Sequence, residues 1–185
     1  MPTPAGNEQF MMGTSEGRAI ISDEHPLVYS ITPMTARDLP AVAEIDRMHQ
    51  REPWSESAFR EELHKLHALC FVARLAPSEG GQSPRSPSGV IGYICSWVVV
   101  DELQILNVTV ERGLWRRGIG RALLRQAIDA GWQKGCIRAT LEVRPSNTAA
   151  RGLYDSLGFR VVGERPGFYA EGREAGMIME LERGY

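Results

Sequence analysis

The residues that could do chemistry lie between positions 103 and 159. A turn of Arg116, Arg117, Gly118, Ile119, Gly120 and Arg121 separates the apolar run LQILNVTV from ALLRQAIDAGWQKG. A glycine turn at a helix start leaves the first-turn N–H groups without intrahelical acceptors, and the helix dipole adds partial positive charge there. With three arginines around it, the turn reads as a site for a phosphate-bearing ligand. Downstream stand Glu142 in TLEVR, Asn147 in RPSN and Tyr154 in GLYDSLGF. Glu142 is a proton acceptor, or a salt-bridged strand residue with Arg144 as a same-face partner. Asn147 follows Pro145 and Ser146 as a helix cap. Tyr154 stands beside Leu153 and Leu157 on the helix face that packs.

Several ligand readings compete at the turn. The nucleoside-triphosphate loop GxxxxGK[ST] fails, because no Lys-Ser or Lys-Thr follows a glycine here. The dinucleotide pattern GxGxxG is matched by Gly118 and Gly120, and Glu142 follows at about the right distance. Leu123 stands at the third glycine, however, and the glycines come several residues after the strand. A third reading is acyl-CoA, whose pyrophosphate the turn would grip. A helix entered through a glycine turn with no ligand would leave the flanking arginines without a purpose.

Composition narrows the class. The chain has 185 residues, 43% hydrophobic and 24% charged, with net charge −2. That suits one globular domain and supplies no polycationic face for nucleic acid or membrane. Cys70, Cys95 and Cys136 sit singly in apolar runs and read as buried thiols in a reducing compartment. No secretory signal or membrane-spanning run is evident, so the expectation is a cytoplasmic protein. His25, His49, His64 and His67 form no metal set.

The elements that must position the site are legible in the patterning. Residues 1–26 are small and polar and read as a mobile tail, leaving 27–185 as one domain. A strand is expected over 28–32. A helix capped by Thr35, with Asp38 at the capping-box position, runs over 36–50 with Leu39, Val42, Ile45 and Met48 on its buried face. Ser55 caps a second helix from 56. Strands come next over 68–75, 89–100 and 102–110, and the Pro-, Gly- and Ser-rich 76–88 reads as a flexible loop. A helix begins at the glycine turn. Then come a strand over 137–143, an Asn147-led helix, a strand over 160–164, a loop over 166–176 and a last strand over 177–182. Antiparallel strands followed by a βαβ-like unit predict an α/β fold: a mixed, mostly antiparallel sheet with helices on both faces.

RRGIGRALL, PWSESAF, LEVRPSN, LYDSLGF and GREAGMIM, taken together, resemble the GNAT N-acetyltransferase superfamily. More narrowly they are similar to the RimI family of ribosomal-protein-alanine N-acetyltransferases, over residues 28–183. The resemblance implies the GNAT acyl-CoA fold, acetyl-CoA as cosubstrate, and direct acetyl transfer to the N-terminal amine of a protein. It implies that backbone groups of 116–121 hold the pyrophosphate and that Val108, Thr109 and Val110 lie along the pantetheine arm. Asn147 becomes a cofactor contact, Glu142 the general base and Tyr154 the general acid. Trp54 and Tyr169 are candidates for the substrate wall. Two positions depart from the family pattern. Trp115 stands where Gln or Arg begins the turn motif, implying a lost polar contact, and Phe168 precedes Tyr169 where a tyrosine pair is common. Within the same superfamily a small-molecule amine acetyltransferase is the alternative. A non-catalytic acyl-CoA binder and a nucleotide-linked oxidoreductase are the alternatives from other classes.

Overall fold

The computed structural model describes residues 27–76, 88–169 and 174–184. The expected tail and all of the expected 76–88 loop except its two end residues lie outside them. Seven strands form one sheet, β1 (Tyr29–Pro33), β2 (Ala68–Leu75), β3 (Val90–Val99), β4 (Glu102–Val110), β5 (Arg138–Val143), β6 (Arg160–Tyr169) and β7 (Glu174–Glu182). Their spatial order is β1-β2-β3-β4-β5-β7-β6. Every neighbouring pair is antiparallel except β4–β5. The helices are α1 (Leu39–His49), α2 (Glu56–Leu63), α3 (Ile119–Gln133) and α4 (Thr148–Asp155).

Each sheet face has its own core. Leu39, Val42, Ile45 and Phe59 from α1 and α2 pack on Val72, Val90, Tyr93 and Cys95. Leu123, Leu124, Ala127, Ile128 and Tyr154 from α3 and α4 share the other cluster with Leu103, Ile105, Ala139, Leu141 and Val143. All three cysteines are buried and unbridged. Among the described residues no helix is long and apolar enough to cross a membrane.

The start of α1 follows the expected capping chemistry. Asp38 Oδ2 accepts from the Thr35 N–H at 2.9 Å and from its hydroxyl at 3.0 Å. A 3-10 turn over Ala36–Asp38 leads into the helix, and Pro40 falls where an amide hydrogen is not needed. Burial alone would raise the Asp38 carboxyl, but hydrogen bonds from Arg74 and Thr35 hold it below the usual range. Met48 is 45% exposed, not buried as its spacing suggested. The end of α1 is tied to β4 by Gln50, which donates to Asn107 and Thr109.

The expected loop over 166–176 is largely strand. β6 and β7 extend to Tyr169 and from Glu174, and a register shift between Arg165 and Tyr169 absorbs Pro166 and Gly167. Proline is tolerated there because β6 is the sheet edge.

A bulge in β4 and the early end of its pairing with β5 open the sheet between the two strands. The pairing of β4 with β5 runs only from Glu102↔Arg138 to Ile105↔Leu141. Beyond that β4 pairs with β3 alone and β5 with β7 alone, so the two parallel strands diverge. At that point Cys95 pairs with Asn107 and Ser96 with Ile105, leaving Leu106 as a bulge. A bulge bends the strand that carries it.

The β3–β4 turn is strained. Val100, its first residue, has φ +58° and is 91% exposed. Left-handed backbone costs a non-glycine residue about 1–2 kcal/mol, partly offset by the entropy glycine would lose on folding. Val100→Gly is expected to raise stability by roughly 1 kcal/mol, read as a higher urea midpoint. An unchanged or lower midpoint would contradict the strain.

Candidate active site

The glycine turn is built from left-handed residues. Arg116 has φ +64° and Gly118, the N-cap of α3, has φ +78°. The two glycines do different work. Gly118 makes the turn, whereas Gly120 makes room for α4, since a Cβ there would lie 3.3 Å from Leu153 Cδ2. Arg116 and Arg117 are exposed beside the turn. The Arg121 guanidinium instead donates to Ser156 O at 3.3 Å and Ser156 Oγ at 2.6 Å. It ties α3 to the end of α4, so its side chain is a brace and only its backbone N–H remains a candidate for phosphate.

Trp115, at the first position of the turn motif, makes a polar contact within the chain. Its indole Nε1–H donates to the Val110 carbonyl at 2.7 Å, tying the turn to the end of β4. The ring lies 6.3 Å from the His49 ring, and the Arg112 guanidinium stacks 5.4 Å from its centre. His49 Nε2 in turn accepts from the Arg112 N–H at 3.3 Å. Val108, Thr109 and Val110 lie on β4 past its last pair with β5. Their backbone therefore borders the opening between the strands.

Glu142 also borders that opening, from β5. Its Oε1 accepts from Arg165 Nη1 at 2.9 Å, while Oε2 is buried with no partner among the described residues. The expected pairing with Arg144 does not form. Arg144 lies past the end of β5 and reaches Glu52 Oε1 at 3.3 Å. Strand alternation puts Leu141 and Val143 under α3 and α4, so Glu142 faces the α1–α2 side.

Tyr154 is on the opposite side. It is 7% exposed and packs against Phe159, with ring centres 5.9 Å apart. A carboxylate and a phenol thus stand on opposite faces of the sheet. Asn147 caps α4, its Oδ1 accepting from the Ala150 N–H at 3.2 Å. That satisfies the capping reading and leaves the amide nitrogen for a ligand.

On the α1–α2 side, a buried polar hub backs β4 at the opening. Asp46 is 0% exposed. Its Oδ1 accepts from the Tyr93 hydroxyl and from Asn107 Nδ2 at 3.2 Å, and its Oδ2 accepts from the Trp54 N–H at 2.6 Å. Gln50 Nε2 donates to Asn107 Oδ1 at 3.0 Å and Thr109 Oγ1 at 2.7 Å. Burial, followed by the Asp46 charge, pushes the Tyr93 phenol far up, so it stays a donor. Sequence reasoning missed this hub. The signal was Asp46 standing four residues after Val42 and seven after Leu39, on the stripe that α1 buries.

Trp54 is half-buried against Phe59, 5.3 Å between ring centres, with its backbone held by Asp46. Trp54 thus anchors the segment between α1 and α2. Tyr169 ends β6 opposite Glu174, and its side chain lies outside the described residues. Among the described residues no group of three His, Cys, Asp or Glu side chains could hold a metal ion.

Residues 39–159 match the Acetyltransferase (GNAT) family. The [ribosomal protein bS18]-alanine N-acetyltransferase of Escherichia coli K12 is 34% identical over 154 residues, covering 82% of this chain and 96% of that one. The putative enzyme of the same name from Bacillus subtilis is 30% identical over 146 residues, covering 79% and 90%. The crystal structure of the E. coli ribosomal-protein-S18-alanine N-acetyltransferase superposes with a TM-score of 0.71 at 33% identity, covering 85% of this chain and 95% of that one. Fold, turn and similarity therefore agree, and the chain is an acetyltransferase that belongs to the GNAT family.

Proposed function

We propose that the enzyme transfers the acetyl group of acetyl-CoA directly to the N-terminal α-amine of a protein, an alanine-starting ribosomal protein by likeness to its relatives. The observation that carries the chemistry is the buried, partnerless Oε2 of Glu142 beside the opening of the sheet. An unsatisfied buried carboxylate oxygen is costly unless a donor arrives, and an incoming amine is such a donor.

The turn fits a pyrophosphate. Left-handed Arg116 and Gly118 shape it at the head of the 15-residue α3. The N–H groups of 116–121 would hold the phosphates, with Asn147 beside them. Val108, Thr109 and Val110 would line the arm that carries the thioester. Glu142 takes a proton from the amine as the N–C bond forms. The C–S bond breaks, and Tyr154 gives its proton to the departing sulfur. No acyl-enzyme is needed. Trp54 and Tyr169 flank the peptide. A modest base suffices because an α-amine has a reference pKa of roughly 7.7–8.0 against roughly 10.4 for lysine. Buried, unbridged cysteines fit a reducing cytoplasmic setting.

Binding and turnover test this reading separately. Acetyl-CoA at about 100 times its Kd should stabilise the fold by about 2.7 kcal/mol, and NAD should not. Peptides with a free N-terminal alanine should be acetylated faster than peptides blocked at the N-terminus that carry a free lysine. Preference for the lysine, or for a small amine over both, would overturn the α-amine assignment.

A further inference from the structure

We propose that Arg165 is a positioning residue for the transfer: by holding Glu142 Oε1 it leaves Oε2 as the oxygen that receives the proton. This rests on the reading of Glu142 as the base.

The two residues come from strands that are not neighbours. Glu142 is on β5 and Arg165 on β6, with β7 between them. The sheet register makes the contact possible. Glu142 pairs with Ile178 and Arg165 pairs with Gly176, so all four residues share one face. The Arg165 chain crosses β7 on that face to place Nη1 2.9 Å from Glu142 Oε1. The crossing occurs where β6 shifts register, just before Pro166.

The contact divides the two oxygens of one carboxylate. Oε1 has a cation, and Oε2 is buried without a partner. Without Arg165 the carboxylate would rotate freely and present either oxygen. A fixed acceptor is what proton transfer needs, since a small misplacement of a reacting group costs rate steeply. A purely stabilising role explains the pair less well. The Arg165 side chain is 56% exposed, and ion pairs so open to solvent add little to stability.

The test compares Arg165→Ala and Arg165→Lys, alone and combined with Glu142→Gln, using acetyl-CoA and an alanine-starting peptide. Arg165→Ala should lower kcat about 10- to 100-fold. The acetyl-CoA KM and the thermal midpoint should stay near wild type. Arg165→Lys should recover part of the rate, because lysine keeps the charge but not the fork. Added to Glu142→Gln, Arg165→Ala should cause no further loss. Wild-type or faster turnover of Arg165→Ala would overturn the proposal. So would an undiminished loss in the Glu142→Gln background, which would show that Arg165 acts elsewhere. Wild-type turnover of Glu142→Gln alone is a different failure and would remove the base assignment itself.

Discussion

Glu142→Gln is expected to lower kcat by about 10²–10⁴, the usual contribution of a general base, while acetyl-CoA affinity stays close to wild type. The substitution keeps size and shape. It keeps an oxygen able to accept from Arg165, which now holds Oε1 at 2.9 Å. It removes only the ability to take a proton. Affinity should survive because Glu142 faces the α1–α2 side, whereas the turn that would hold the pyrophosphate heads α3 on the other. Steady-state kinetics with an alanine-starting peptide measures the rate, and calorimetric titration measures the affinity. A fall in affinity with kcat retained would reassign Glu142 to binding. Retention of both would leave its buried Oε2 without a chemical role.

The largest expected loss of stability comes from Asp46→Ala. Asp46 is fully buried and accepts from Tyr93, Asn107 and the Trp54 backbone. The substitution strands three donors, and each unsatisfied buried polar group costs about 1–3 kcal/mol. A loss of about 3 kcal/mol or more is expected, a large share of the roughly 5–15 kcal/mol that holds a typical domain together. Urea unfolding would read it directly. Asp46→Asn should lose less, since it keeps one acceptor oxygen. If Asp46→Ala costs under about 1 kcal/mol, its three donors find other partners and the hub is not a structural unit.

How far the sequence discloses the molecule depends on how local the determinants are. The order of elements follows the patterning, and Ser55 and Asn147 cap the helices they precede. Caps and periodicity act within a few residues, so a sequence exposes them. Arg165 is different, because its distance to Glu142 is set by the register of β6 on β7 and of β7 on β5. Nothing near TLEVR in the chain indicates it, and Arg144, only two residues away, is the tempting partner. The β6–β7 hairpin misleads for a related reason. Pro166 and Gly167 look like turn residues, but an edge strand accommodates both. Trp115 is legible as a departure from the motif, but its bond to the Val110 carbonyl depends on how the turn folds back on β4 and is not readable from spacing.

The divergence of β4 from β5 has a consequence for how such an enzyme changes over time. A sheet usually separates what lies on its two sides, but here it has a gap with Glu142 on one side and Tyr154 on the other. In the proposed reading the nucleotide would be gripped by the layer of α3 and α4, and the acceptor would meet α1, the turn around Trp54 and the edge strand β6. These layers have separate cores, so substitutions in one need not be compensated in the other. Acceptor preference is therefore free to drift while the donor stays fixed. Inhibitors meant to distinguish this enzyme from others with the same donor should draw their selectivity from the acceptor side.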